Sequence, residues 1–254
     1  MKKERNDTVT TRYLLHEYAS KNPTWDIEDS SWKAQQVLRM LQLHHLVPNT
    51  IVDVGCGAGG VVAELGASLP GTKLHGFDIA PDAAAFWPQY SHSNIRFTLG
   101  DFFDLGIQHY DLMLVLDVIE HLPNPFEFLV RARGRATYHL FHFPLDLSAV
   151  SVLRETPLIN VRDKVGHIHF YTKNLAHALV CDCGYEIVDW FYTGAYLAAP
   201  RRSWKTRMAT LPRRIAYAID KDAGVRLFGG ETMMLLARAR EGSGQPDSEG
   251  GAAL

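Results

Sequence analysis

Residues 52–60, Val-Asp-Val-Gly-Cys-Gly-Ala-Gly-Gly, place four glycines at the end of a short apolar run. The run Thr50–Gly55 predicts a buried strand, and Gly60–Ser68 has helical character. Glycine is required where the backbone takes a positive φ or where a ligand approaches the main chain closely. The segment therefore predicts a strand–turn–helix unit at the first crevice of a doubly wound α/β sheet, where such folds bind nucleotides.

The rest of the chain continues this alternation of strands and helices. Apolar runs predict further strands. Helical spacing predicts two helices before the glycine turn and two more after the helix Gly60–Ser68. Alternating elements, with strands apolar on both faces, predict a parallel sheet between two helix layers. Two late strands leave a closing hairpin as one possibility. The predicted strands are Lys73–Asp78, Ile95–Leu99, Tyr110–Asp117, Thr137–Phe143 (stopped by Pro144), Tyr185–Tyr192 and Thr232–Ala239, and the helices are Thr10–Ser20, Ser31–His44, Ala83–Tyr90 and Pro125–Arg133.

Length and composition are those of an ordinary globular chain, with 254 residues of which 46% are hydrophobic. We expect one domain over 1–240, with N-terminal helices in 10–46, followed by a disordered polar tail over 241–254. Three cysteines are too few for a disulfide framework or a zinc ribbon. No apolar run reaches the roughly 18 residues of a membrane span, and no apolar segment follows the charged start. The expectation is a cytoplasmic protein without a transmembrane segment.

Four carboxylates follow the predicted strands near the glycine turn. Asp53, Asp78, Asp101 and Asp117 stand at or just beyond four strand ends, on one edge of the sheet. The glycines at 55, 57 and 60 also fit the dinucleotide spacing G-x-G-x-x-G. However, so much negative charge repels a pyrophosphate. It suits a cofactor that carries a sulfonium, an ammonium and a ribose diol, which favours S-adenosylmethionine (AdoMet) over NAD.

The motifs resemble those of the class I AdoMet-dependent methyltransferases. The resemblance is carried by Val-Asp-Val-Gly-Cys-Gly-Ala-Gly (52–59), Gly-Phe-Asp-Ile (76–79), Gly-Asp-Phe (100–102) and Asp-Val-Ile-Glu-His-Leu (117–122). The segments Gly-His-Ile-His-Phe-Tyr-Thr (166–172) and Cys-Gly-Tyr-Glu-Ile (183–187) are similar to the subgroup that contains ubiquinone-pathway and many uncharacterised bacterial methyltransferases. The resemblance implies a Rossmann-like, mostly parallel seven-stranded sheet with a reversed terminal hairpin.

The resemblance also implies roles for individual residues. Gly55 and Gly57 would line the methionine part of AdoMet, and Asp78 would hold the ribose. Asp101 and Phe102 would bind adenine, and Asp117 would lie near the sulfonium. The whole predicted cofactor site comprises Lys33, Asp53, Gly55, Cys56, Gly57, Asp78, Ile79, Gly100, Asp101, Phe102, Asp117 and Val118.

Each of these roles has a structural alternative. The glycines can simply shape a turn, Asp101 can cap one, and Asp117 can cap a helix. Lys33 opens the helix before the first strand, where it can pair with the cofactor's carboxylate beneath Trp32. It can equally be a solvated cation at a helix start.

Methyl transfer requires an aligned acceptor and a base wherever the acceptor carries a proton. His121, just past the fourth strand, is the predicted base, since an imidazole titrates near neutral pH. The alternative is that His121 packs structurally before Pro123. His142, His167 and His169 are second candidates.

A second resemblance raises the alternative of a metal-dependent reaction. Asp117-x-x-Glu120-His121, with His167 later, resembles the metal site of ubiquinone O-methyltransferases and of small-RNA 3′-end methyltransferases. Aspartate stands here where those families usually have glutamate, and Glu-His-Leu is also common in relatives without metal. The prediction is therefore that the site contains no metal.

The segment 193–230 interrupts the expected terminal hairpin and carries a net charge of +6, which leaves −8 on the rest of the chain. It can be a lid or a platform for an acidic or phosphorylated acceptor. A contact with a membrane surface fits its basic and apolar mixture. It can also be a solvated cover for the sheet, in which Leu211, Ile215, Ala218 and Ile219 form an apolar stripe on a helix begun by Pro212.

The sequence predicts transfer of a methyl group from AdoMet to an oxygen or nitrogen of a small molecule. The alternatives are an RNA or protein methyltransferase that uses the basic segment, an NAD(P)-dependent oxidoreductase, and a non-catalytic AdoMet sensor. No RNA-binding module is recognisable, so nucleic acid is not the expected partner. The identity of the acceptor and the oligomeric state do not follow from the sequence.

Overall fold

Seven strands form one sheet in the order β3-β2-β1-β4-β5-β7-β6 in the computed structural model, which describes residues 8–104, 106, 108–194 and 213–240. The predicted tail over 241–254 lies outside the described residues. The strands are β1 (Thr50–Val54), β2 (Lys73–Asp78), β3 (Ile95–Leu99), β4 (Tyr110–Leu116), β5 (Ala136–Leu145), β6 (Tyr185–Tyr192) and β7 (Glu231–Ala239).

Strands β1 to β6 run in the same direction, and β7, the last strand of the terminal hairpin, is the one reversed strand of this sheet. β1 pairs with β2 and β4, β2 with β3, and β4 with β5, all in parallel. β7 inserts between β5 and β6 and is antiparallel to both. The strand order reverses direction at β1 and β4, so the glycine turn lies at the switch point of the sheet. The predicted Rossmann-like, doubly wound class is confirmed.

Helices cover both faces of this sheet. Since side chains alternate along a strand, Ile51 of β1 faces one helix layer and Val52 faces the other. Val37 and Leu65 of the first helix layer pack in one cluster with Ile51, and Leu129 of the second layer packs in the other cluster with Val52. The helices are α1 (Thr8–Leu14), α2 (Glu17–Lys21), α3 (Ser30–Leu43), α4 (Gly60–Ser68), α5 (Pro81–Ala84), α6 (Pro125–Ala132), α7 (Ala149–Arg154), α8 (Thr156–Val165), α9 (Lys173–Asp182), α10 (213–219) and α11 (Lys221–Phe228).

Among the described helices, none combines the length and the apolarity required to cross a lipid bilayer.

Three predicted elements differ from the structure. The helix predicted over 10–20 is broken at His16, which has a left-handed φ of 62°. The Nδ1 of His16 lies 2.5 Å from Oδ1 of Asp82. The helix predicted over 83–90 is split into α5 and a 3₁₀ turn at Trp87–Gln89, since Pro88 cannot donate the next helical hydrogen bond.

Pro144 does not stop β5, which continues to Leu145. The parallel pairing with β4 ends at His142, so beyond that residue β5 has a ladder only on its β7 side. A proline without an N–H is tolerated where one edge of a strand is unpaired.

The basic insertion joins β6 to β7, and its last part forms α10 and α11. In the described part of this helix, Ile215 and Ile219 of the predicted apolar stripe are exposed, at 55% and 83%, while Tyr217 is buried. The Tyr217 hydroxyl donates to the carbonyl of Gly229, which holds the Tyr217 side of the helix inward. Residues 195–212, which include Leu211 and Pro212, lie outside the described residues.

Candidate functional site

Two adjoining cavities lie at the carboxyl ends of β1, β2 and β4. The first has a volume of about 460 Å³ and the second about 570 Å³. They share Gly55, Asp78 and Val118 as a common wall, so together they form one divided cleft. Every residue predicted to bind the cofactor lines one of the two: the first contains Lys33, Asp53, Cys56, Gly57 and Asp117, and the second contains Gly100, Asp101 and Phe102, while Ile79 borders both.

The glycine turn has the backbone that the sequence predicts. Gly55, Gly57 and Gly59 have φ values of 82°, 53° and 81°. A Cβ on Gly55 would lie 2.4 Å from Cγ2 of Val118, so a larger residue there would displace the wall of the cleft. The close approach of main chain and wall explains why glycine is needed at this position.

Asp78 joins the turn to the end of β2. Its Oδ2 accepts from the Gly57 N–H and its Oδ1 from the Ala80 N–H, both at 2.8 Å. Burial raises the pKa of Asp78, and these backbone donors oppose the rise. The carboxylate is thus fixed at the boundary between the cavities, where it retains lone pairs for a ligand.

Asp53 is a buried carboxyl group without a full set of partners. It is 3% exposed, and its Oδ1 has no hydrogen-bond partner. Burial, with the charge of Asp78 as a smaller influence, raises the pKa of Asp53 to about 7. A buried polar atom that faces a cavity without a partner is satisfied when a ligand donates to it.

Lys33 and Asp117, which both line the first cavity, form a half-buried ion pair. Lys33 Nζ lies 2.8 Å from Asp117 Oδ2. Burial favours neutral lysine, but Asp117 outweighs it and holds the pKa of Lys33 above its usual value. The interpretation of Lys33 as a solvated cation is therefore wrong. Its pairing with a cofactor carboxylate stays a prediction, and in this structure its partner is Asp117.

Asp117 has a second partner in His142. Its Oδ1 lies 2.6 Å from His142 Nδ1, and its backbone has a left-handed φ of 54°. Burial would raise the pKa of Asp117, but His142 and Lys33 hold it far below its usual value. Trp32 lines the same cavity, and its ring meets His142 edge-on at 5.9 Å. Asp117 is not a helix cap, since its side chain is committed to these two residues.

On the second cavity's side, the predicted adenine residues also have structural partners. Asp101 Oδ1 accepts from the Phe103 N–H at 2.9 Å, which is the turn-capping contact weighed as its alternative. Phe102 is 5% exposed and packs edge-on against Phe77. Both residues still line the cavity. Their contact with adenine stays a prediction.

His121 lies in a buried cluster with Glu120 and His167. Burial, with His167 as the next influence, lowers the pKa of His121 to about 4, and its Nδ1 has no partner. Glu120 is fully buried with both oxygens unpartnered, and burial followed by Asp117 raises its pKa. The Nδ1 of His167 is hydrogen-bonded to Oδ2 of Asp146 at 2.7 Å.

The same cluster marks where an ion would bind. Ligand atoms of Glu120, His121 and His167 all lie within 4.8 Å of one another. Asp117 is not part of this group, because Lys33 and His142 occupy its two oxygens. The described residues thus offer one carboxylate and two imidazoles rather than the two-carboxylate set that the second resemblance implies. The predicted absence of a metal stays a prediction.

Sequence reasoning missed the N-terminal cover and Thr232. Three aromatic residues of the N-terminal segment line the first cavity: Tyr13, Tyr18 and Trp25. The ring centroid of Tyr18 lies 5.1 Å from that of Tyr13 and 4.7 Å from that of Trp25. The density of aromatic residues in 13–32 is a signal that could have indicated them. Thr232 at the start of β7 also lines this cavity. A lone threonine gives no sequence signal.

The described basic residues of the insertion are used within the fold. Arg213 donates to the carbonyl of Phe228, and Lys221 lies 3.5 Å from Glu231. None of the described basic residues of the insertion lines either cavity.

Comparison with known proteins points to a methyltransferase domain. Residues 52–137, less than half of the chain, match the family described as "Methyltransferase domain". The matched range begins within β1 and includes the glycine turn, β2, β3 and β4. A curated relative is the ubiquinone biosynthesis O-methyltransferase of Glaesserella parasuis serovar 5, 28% identical over 123 residues, or 42% of this chain. The match spans about half of that relative's length, 51%.

Solved structures share the methyltransferase fold. Magnesium protoporphyrin IX methyltransferase from Synechocystis PCC 6803, with SAH bound, has a TM-score of 0.55 at 17% identity and covers 83% of each chain. The [4+2]-cyclase SpnF has a TM-score of 0.53 at 15% identity and covers 80% of this chain and 81% of its own. Since the fold hosts more than one reaction, the activity of this chain must be argued from its site.

Proposed function

We propose that this chain transfers a methyl group from AdoMet to an oxygen or nitrogen of a small-molecule acceptor. The observation that carries the proposal is the charge of the cleft. Six carboxyl groups line the first cavity, and Lys33 is the one lysine or arginine among its lining residues. That lysine is already paired with Asp117. A cationic ligand without phosphate groups is favoured by such walls.

The residues fit the parts of AdoMet in three places. Asp53 lines the first cavity beside the glycine turn, and its Oδ1, which has no partner, can accept from the ammonium group. Asp78, fixed by two backbone donors at the boundary, can accept from the ribose hydroxyls. The second cavity, with Asp101 and Phe102, has the apolar walls that an adenine ring requires.

When bound, AdoMet supplies a methyl carbon activated by the adjacent sulfonium. The protein's own part is then to exclude water, align the acceptor and accept its proton. Tyr13 and Trp25 cover the first cavity, where the acceptor would enter. His121 lines the same cavity. We propose that His121 contacts the acceptor, since a neutral imidazole can both donate and accept a hydrogen bond.

The charge of the first cavity also bears on the acceptor. The acidic or phosphorylated acceptor suggested by the basic insertion gains no support from the described residues, because six carboxyl groups and one lysine line the first cavity. A neutral or basic small molecule fits these walls better.

The proposal is tested by incubating the protein with AdoMet labelled at the methyl group. Mixtures of alcohols, phenols and amines, and separately total RNA, serve as acceptors, and S-adenosylhomocysteine (SAH) formation is measured. Label in a small molecule with equimolar SAH is the expected result. Label in RNA or in protein would replace the small-molecule acceptor. SAH binding without turnover on any mixture would indicate a sensor.

A further inference from the structure

A chain of side-chain hydrogen bonds crosses the first cavity's wall from α3 to β7. Lys33 Nζ contacts Asp117 Oδ2 at 2.8 Å, and Asp117 Oδ1 contacts His142 Nδ1 at 2.6 Å. The other ring nitrogen, His142 Nε2, lies 2.9 Å from Thr232 Oγ1. All four residues line the cavity. The wall therefore presents a hydroxyl group that is connected to a half-buried carboxylate through an imidazole.

The fold brings these residues together through strand register. Leu116, the last residue of β4, is level with His142 on β5, so Asp117 follows directly beside the imidazole. On the other side, Pro144 is level with Thr232 of β7, which places Thr232 diagonally across from His142. His142 is 1% exposed. Its ring is thus held between two fixed partners.

The partners determine the tautomer of His142. Asp117 is ionised, because it forms an ion pair with Lys33 at 2.8 Å, and an ionised carboxylate can only accept hydrogen bonds. His142 Nδ1 must therefore carry the proton. In the neutral ring Nε2 is then an acceptor, so the Thr232 hydroxyl donates to it. Thr232 Oγ1 also contacts the Thr193 hydroxyl. With Thr193 as the donor in that contact, one lone pair remains on Thr232 Oγ1, which can accept another proton.

We propose that Thr232 receives the proton of a hydroxyl acceptor while His142 takes the proton of Thr232. The inference rests on the proposed methyl transfer and specifies an alcohol or phenol as acceptor. The acceptor oxygen forms a bond to the methyl carbon as the carbon–sulfur bond breaks, and the electron pair of that bond stays on sulfur. The proton released by the acceptor goes to Thr232 Oγ1, and the original Thr232 proton goes to His142 Nε2.

The charges of the wall suit the end state of this step. Protonated His142 would lie beside ionised Asp117, and Lys33 keeps Asp117 ionised before the proton arrives. A hydroxyl acceptor needs such a path, because a neutral oxygen becomes a good nucleophile only as its proton leaves. An amine already has a free lone pair once it is neutral. In this account Thr232 is a catalytic residue, and His142 and Asp117 act through it.

The test combines one spectroscopic and one kinetic measurement on the full chain. Nitrogen-15 NMR of histidine-labelled protein with SAH bound reads the tautomer of His142 directly, with His142→Gln used to assign its signals. The expected result is a protonated Nδ1 and an unprotonated Nε2, with the Nε2 signal shifted in Thr232→Val. A proton on Nε2 of the neutral ring would overturn the proposal, since that nitrogen could not accept another.

For the kinetic measurement, Thr232→Ser is the matched control for Thr232→Val. With an alcohol and phenol mixture, we expect Thr232→Val to form SAH about 10²-fold more slowly or worse, and Thr232→Ser to stay within about fivefold of the parent. SAH affinity by calorimetry should be the same in all three. Equal rates for the valine and serine variants, or methyl transfer to amines alone, would overturn the proton path. A parent protein that fails to bind SAH would instead refute the proposed function itself.

Discussion

Replacement of Asp53 by asparagine shows how much the ionisation of this buried carboxyl group lowers the free energy of unfolding. Asp53 is fully buried, and its pKa rises from 3.8 to about 7. A shift of about 3 units at roughly 1.36 kcal/mol per unit corresponds to at most about 4 kcal/mol. The folded protein holds a proton that the unfolded chain releases near pH 3.8. The free energy of unfolding therefore falls as pH rises from about 4 to about 7, and the cost is fully present above pH 7.

Asp53→Asn removes the ionisable group while it keeps the shape of the side chain. We expect the variant to gain about 1–4 kcal/mol of unfolding free energy relative to the parent between pH 4 and pH 8. Urea unfolding at the two pH values measures the difference, and Asp104→Asn, at an exposed carboxyl group, is the control. A difference between Asp53→Asn and the parent that does not change with pH would refute this account of Asp53.

Three further variants test other residues of the cleft. Asp78→Ala should weaken AdoMet binding by about one to a few kcal/mol, the scale of lost charge-assisted hydrogen bonds, and unchanged affinity in calorimetry would remove Asp78 from the site. His121→Ala should lower turnover more than cofactor affinity, and equal losses would make His121 a structural residue. Because burial raises the pKa of Glu120, Glu120→Gln should be at least as stable as the parent at pH 8. A stoichiometric divalent ion in the parent, lost from this variant in metal analysis, would contradict the metal-free site.

The fold followed from the sequence where local pattern and tertiary structure agree. β2, β3, β6 and α4 have the predicted boundaries, because their apolar runs are closed by glycine or polar residues at both ends. The extension of β5 through Pro144 was missed, since it depends on where the neighbouring strand ends. The inward position of Tyr217 was missed because it depends on one hydrogen bond to Gly229.

The candidate site was predictable as a set of residues but not as a set of contacts. The glycines and carboxylates were found because their spacing after strands places them on one sheet edge. The partners of Lys33 and Asp117 were not predictable, since α3 precedes β4 by more than sixty residues and nothing local relates them. The same is true of Thr232, which reaches the cleft only because β7 inserts next to β5.

The claim on which the rest depends is that the acidic cleft selects a cationic, phosphate-free nucleoside. Calorimetric titration of the purified protein with AdoMet and, separately, with NADH tests it most directly. Saturable binding of AdoMet at one site per chain, with no heat of binding from NADH, is the predicted result. Binding of NADH in the absence of any response to AdoMet would contradict it.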